Sequence, residues 1–132
     1  MLSFFRPTPK SVFNVHDPVF LRNIFQLRLG LSCLNAHKRH HNFVETPSAE
    51  CLCQEGEETT HHFLFSCPFF AEFRPRLINS VSEVLQKHGL IHLAYETDTY
   101  LYGHFSIDVS DNRIILQSSI RYLKDTKRFS TS

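Results

Sequence analysis

Cysteine and histidine crowd the middle of this chain: Cys51 and Cys53, then His61 and His62, then Cys67. Three of the four cysteines thus fall within residues 51–67. Thiolate and imidazole are the donors zinc prefers, and a structural zinc site is closed by four of them in a tetrahedron. With His62 the spacing reads C-x-C-x8-H-x4-C and supplies a full set; a shift of one residue would use His61 instead. Between the ligand pairs runs Gln54-Glu55-Gly56-Glu57-Glu58, polar and with a glycine where the chain must turn back. The expected cofactor is therefore one structural Zn2+, with a short helix beginning at Thr59 or Thr60 to carry the histidine. Three thiolates and a neutral imidazole around Zn2+ leave about −1 of net charge. Backbone N–H groups or nearby cations should then donate to the sulfurs.

Other chemistry finds less support. A Cys67 nucleophile with His61 as base is not accompanied by an oxyanion-hole signal or by a group to orient the base. A catalytic zinc needs an open position and a general base, and neither H-E-x-x-H nor the deaminase signature is present. Nor is there a P-loop or a G-x-G-x-x-G. No catalytic residue is assigned, and the chain is not expected to be an enzyme. Cys33, outside the cluster, reads as a small buried hydrophobe.

The elements that must position these residues read as helices. The chain has 132 residues, 42% hydrophobic and 20% charged, enough for one compact domain. Thirteen phenylalanines against four glycines suit packed helices. The fold class is thus mainly α: an extended arm over 1–16, then one helical domain over 17–132 with the zinc turn, 51–67, between helices. Asp17-Pro18 opens a helix on which Phe20, Ile24, Leu27 and Leu31 recur at helical spacing, widened by Leu21 and Phe25, and Gly30 ends it. Ser32 caps a short second helix reaching about His41, and a loop over 42–50 leads to the cysteines. Phe70, Phe73, Leu77, Val81 and Val84 predict a long helix stopped by Gly89, with a kink or a junction of two helices at Pro75. The stretch from Leu90 to Phe105 resists assignment. Ser110 caps a last helix, with Leu116, Ile120 and Leu123 on one side and Arg113, Gln117, Arg121, Lys124 and Arg128 on the other.

The formal net charge is only +1, but the charges are segregated. Arg6, Lys10, Arg22, Arg28, Lys38 and Arg39 make the first third basic, acidic residues surround the cysteines, and the C-terminus is basic again. Such alternation suits a surface that meets a polyanion in some places only, or simply a soluble one. No secretory signal and no membrane-length apolar run is seen, so a nuclear or cytoplasmic, non-secreted chain without membrane contact is expected.

Several blocks together resemble the C-terminal tail of LINE-type (non-LTR) retrotransposon reverse transcriptases. They are Ser11 to Pro18; Phe25-Gln-Leu-Arg-Leu-Gly-Leu-Ser32 with Leu34-Asn35-Ala36-His37; Cys51-x-Cys53; Glu58-Thr59-x-x-His62-Phe63-Leu64-Phe65-x-Cys67-Pro68; Leu101-Tyr-Gly103; Asp111-Asn112; and Tyr122 through Arg128-Phe129. The resemblance implies that Cys51, Cys53, His62 and Cys67 are the ligands, and so favours His62 over His61. Gln54 departs from it, standing where the family usually has glycine, and Cys33 stands where it often has proline. The polymerase and endonuclease motifs of such proteins are absent, so their activity is not carried over.

Three readings follow. One is an accessory zinc module that helps hold DNA or RNA, with Arg22, Lys38, Arg39, Arg113, Arg121, Lys124 and Arg128 as phosphate contacts. The second is a packing module whose partner is the polymerase domain of a parent polyprotein. The third is a retrotransposon remnant with no selected role.

Overall fold

The computed structural model describes residues 18–41 and 48–129; among them it holds no strand, only an isolated antiparallel bridge between Glu50 and Glu57. Helices come in the order α1 Pro18–Leu29, α2 Asn35–His40, α3 Arg74–Lys87, α4 Thr97–Tyr102 and α5 Val109–Thr126. A π-helical turn, His62–Ser66, and two 3-10 turns, Pro68–Phe70 and Ile91–Leu93, join them. The mainly helical class is as expected. The arm over 1–16, the Asp17 cap and residues 42–47 of the expected loop lie outside the described residues.

Glycines end two helices in the same way. After α1, Gly30 takes φ +69°, its N–H donates to the Leu27 carbonyl, and the Leu31 N–H donates to the Gln26 carbonyl. After α3, Gly89 takes φ +72° while the N–H groups of Gly89 and Leu90 reach Gln86 and Leu85. Both are Schellman endings, which need a residue that enters the left-handed region without steric cost. The reversal also explains one difference from the α1 stripe. Ile24 and Leu27 are buried as expected, but Leu31 lies past the glycine, off the helix face, and is 51% exposed. Phe25 is exposed as well, beneath the Arg28 guanidinium 5.0 Å from its ring.

Pro75 resolves as a junction rather than a kink. A 3-10 turn stops at Phe70, and α3 begins at Arg74 with Pro75 in its first turn, where the missing N–H breaks no bond. The last helix starts a little earlier than its sequence cap: Asp108, not Ser110, takes the N-cap position. Asp108 makes no side-chain capping bond; its carboxylate lies 3.5 Å from the His88 ring instead. The unassigned stretch from Leu90 contains α4, whose Tyr100 and Leu101 are buried.

One apolar cluster runs through the described residues, and α5 is its axis, packing on α1, α4 and most extensively α3. Leu77, Val81, Val84 and Leu85 of α3 meet Ile115, Leu116, Ile120 and Leu123 of α5, each fully or nearly buried. Each such side chain contributes roughly 1.5–3 kcal/mol by leaving water. Between α4 and α5 the chain passes Gly103, where a Cβ would run into the Asn112 amide. That amide accepts from His104 N–H and donates to the His104 and Ile107 carbonyls, each at 3.0 Å, so it holds the loop against the start of α5. No helix among the described residues is long and apolar enough to cross a membrane.

Candidate metal centre

Residues 49–58 fold back on themselves into a tight knuckle. The Cys51 N–H donates to the Gly56 carbonyl and the Glu58 N–H to the Ala49 carbonyl, both at 2.8 Å, and the Gln54 N–H returns to Cys51. The reversal is made by Gln54 at φ +67° and Gly56 at φ +144°. It presents the Cys51 and Cys53 sulfurs on one side.

The other two donors come from the turn that follows. Thr59 caps it, its side-chain oxygen accepting from the His62 N–H at 3.1 Å. From His62 the backbone widens, and the Cys67 N–H reaches back five residues to the His62 carbonyl at 2.8 Å. In an α-helix residues five apart point about 140° away from each other. The wider π turn closes on the fifth residue, and so carries His62 and Cys67 to the same side.

Cys51, Cys53, His62 and Cys67 form a group that could hold a metal ion, their ligand atoms all within 4.8 Å of one another. The Cys51 and Cys67 sulfurs are 3.7 Å apart, close to the about 3.8 Å that a zinc tetrahedron sets between two thiolates. The Cys53 sulfur lies 3.3 Å from His62 Nε2. His61 is turned out, exposed and edge-on to the Phe65 ring at 5.0 Å, so it is His62 that joins the cysteines.

The Cys53 sulfur receives the Glu55 N–H at 3.4 Å, and the backbone N–H groups of Cys53 and Phe69 act to lower the Cys51 and Cys67 thiols, against the larger effect of burial. Cations stand one step further out. Arg74 donates to the carbonyls of Leu64 and Cys67, at 3.0 and 2.6 Å, and so braces the turn rather than the sulfur. With no metal, burial is the largest influence on the thiols, raising Cys67 and pushing Cys51 up to about 12. A metal ion is what would favour their thiolates.

No family model, curated protein or solved structure matches the chain. The chemistry of the site itself therefore carries the functional reading.

The residue that the sequence reading left without a role is Glu58. It is 4% exposed, and its carboxylate takes two hydrogen bonds of 2.6 Å from the Arg128 guanidinium. It also accepts from the Asn35 N–H at 2.7 Å, serving the open N-terminus of α2. One buried acid thus ties the knuckle, α2 and the C-terminal end together. The signal was present in the Glu58-Thr59 pair of the quoted motif, but its partner lies 70 residues on.

This pairing corrects the expected basic face. Arg113, Arg121 and Lys124 lie on α5, but the helix ends at Thr126 and Lys127 takes φ +57°, turning Arg128 away from them. Arg128 is half-buried, and its guanidinium is engaged inside the molecule, bonded to Glu58 and to the Cys33 carbonyl and sulfur. Cys33 is accordingly half-buried and hydrogen-bonded rather than a plain hydrophobe. Of the other cations, Arg22, Arg39 and Arg121 are exposed, Lys38 and Arg113 are half-buried, and the Lys124 ammonium sits 5.7 Å over the Phe20 ring.

A second group, His88, Asp108 and Asp111, also brings ligand atoms within 4.8 Å. Asp111 is already matched there by His88 at 2.7 Å and the Lys87 ammonium at 3.0 Å, which hold its carboxyl below the usual range. We read it as a clasp between the end of α3 and the start of α5.

Proposed function

We propose that this chain is a zinc-stabilised accessory module of the kind it resembles, the C-terminal region of a non-LTR retrotransposon reverse transcriptase, and that it helps hold nucleic acid without polymerising it. The closed set of three cysteines and one histidine carries the zinc part of this reading. Three soft thiolates and an imidazole within 4.8 Å of one another suit zinc, and among the described residues the group holds no fifth His, Cys, Asp or Glu donor. Zinc bound there cross-links the knuckle to the π turn.

The family part is supported by how the resembling blocks lie in space. Glu58 meets Arg128, the Tyr122 hydroxyl donates to the Phe63 carbonyl at 2.6 Å, and Phe63 packs on Phe129 at 5.4 Å. Gly103 abuts Asn112. Positions quoted from separate stretches of sequence are thus partners, as expected if one fold had kept them together.

A packing module has one specific observation in its favour: Leu29, Leu31, Leu52, Phe69 and Phe105 are each more than half exposed. Native mass spectrometry and titration of a labelled oligonucleotide separate the readings. The expected result is one zinc per chain, lost in Cys53→Ser, and oligonucleotide binding that weakens steeply with salt. Zinc absent from the wild type would overturn the metal assignment. Zinc present with no salt-dependent binding would leave the packing module.

A further inference from the structure

A cleft of about 610 Å³ opens between α3 and α5. Its walls carry Arg76 of α3 and Arg121 of α5, both exposed and neither in an ion pair or hydrogen bond among the described residues. Lys124 stands at the same cleft, and Asp125 is the carboxylate on its wall. Phe73 and Ile114 bring apolar surface to it, Ile114 being 43% exposed. Arg76 belongs to none of the basic stretches singled out in the sequence; α3 alone brings it opposite Arg121.

We infer that this cleft is where the module holds nucleic acid, and that it takes a single strand rather than a duplex. The inference rests on the nucleic-acid reading above. Two guanidinium groups on the walls of one cleft, one from each helix, are planar, multidentate donors suited to phosphate. Their excess over the single Asp125 makes the cleft a site for anions. The shape and the apolar lining choose among polyanions. A duplex is a convex cylinder with its phosphates outside and its bases stacked, so it would touch the arginines and leave Phe73 and Ile114 in water. A single strand can lay its backbone along the rim and turn an unstacked base onto the apolar lining, the combination used by single-strand binders.

The test uses the zinc-loaded full chain and labelled homopolymeric oligonucleotides, single-stranded and annealed, read by fluorescence polarisation over a range of salt. Wild type should prefer the single strand. Arg76→Gln and Arg121→Gln should each lower the slope of log affinity against log salt by about 0.7, as removal of one phosphate contact does on a single strand. Lys127→Gln, at an exposed position that is not on the cleft wall, should leave it unchanged. Since Arg76 and Arg121 are exposed, their variants should melt with the wild type, which separates binding from folding. Binding that survives both cleft variants but falls with Arg22→Gln or Arg39→Gln would overturn the cleft while keeping the nucleic-acid reading. A preference for duplex would overturn the single-strand assignment, and no binding by wild type would remove both readings together.

Discussion

From Leu77 to Leu85, α3 turns four buried aliphatic side chains onto α5, whereas in residues 49–58 the one large aliphatic side chain, Leu52, is 81% exposed. The helix pair is held as most domains are, by apolar area taken from water. The knuckle buries Cys51, Glu58 and, just beyond, His62 and Cys67: groups that are costly to bury unless something binds them. Backbone hydrogen bonds shape it, but its sulfurs are close neighbours with no disulfide between them. The difference teaches where a metal is needed. A helix pair of this kind can order itself, while a ten-residue polar turn with two positive-φ residues must be clamped.

The largest test of that contrast is removal of the metal. Chelation, or Cys53→Ser, should abolish hydrogen-exchange protection over residues 49–67 while much of α3 and α5 stays protected, because structural zinc supplies about 10 kcal/mol or more where it binds. Loss of protection throughout would mean that the helix pair depends on the knuckle more than its packing implies. The same state is reached by acid. Burial holds the metal-free Cys51 thiol at about 12 and raises Cys67, so binding must displace their protons, and affinity falls as the pH is lowered. Metal release followed against pH should therefore precede the loss of helical circular dichroism.

The two regions are joined by the buried pair of Glu58 and Arg128, and breaking it is the next largest effect. Glu58→Gln keeps an oxygen for the Asn35 N–H but removes the charge, leaving Arg128 uncompensated beside Cys33. Removal of one partner from a buried pair costs roughly 3–5 kcal/mol. Denaturant melts of the metal-loaded protein should show that loss, and adding Arg128→Met should recover much of it, since a buried pair is often replaceable by apolar side chains. A loss under 1 kcal/mol in Glu58→Gln, on the order of a surface pair, would show the two regions to be only loosely joined.

What the sequence made legible follows the same division. Local signals were readable because each acts within a few residues: Gly30 and Gly89 as helix stops, Thr59 or Thr60 as the start of the turn that carries the histidine, C-x-C and H-x4-C as ligand spacing. The apolar period located α1, α3 and α5 for the same reason. Glu58 with Arg128, and Tyr122 with Phe63, are pairings across 70 and 59 residues, and no period or spacing encodes them. Arg128 was placed on the α5 face because its spacing continues that of Arg121 and Lys124. The left-handed turn at Lys127, a residue with no tendency to mark one, breaks the series. The π turn was equally hidden, since the difference between closing on the fourth and the fifth residue lies in the backbone.

The smallest expected effect bears on how well the knuckle is shaped before any metal arrives. Gln54 holds φ +67°, a conformation that costs a residue with a Cβ roughly 1–2 kcal/mol. Glycine would remove that strain but lose more freedom on folding, a cost of roughly 0.5–1 kcal/mol. The balance predicts that Gln54→Gly stabilises the knuckle by up to about 1.5 kcal/mol. The Gln54 side chain is exposed, so no packing is lost to offset the gain. Because the strain resides in the turn that sets Cys51 against Cys53, the gain should appear as tighter zinc binding, about fivefold for 1 kcal/mol, in competition with a chromophoric chelator. The melt of the helix pair, whose contacts the substitution does not touch, should stay where it is. A weaker zinc affinity in Gln54→Gly would mean that the stiffness of a residue with a Cβ shapes the site more than its strain opposes it, and that the knuckle is better preorganised than its polar sequence implies.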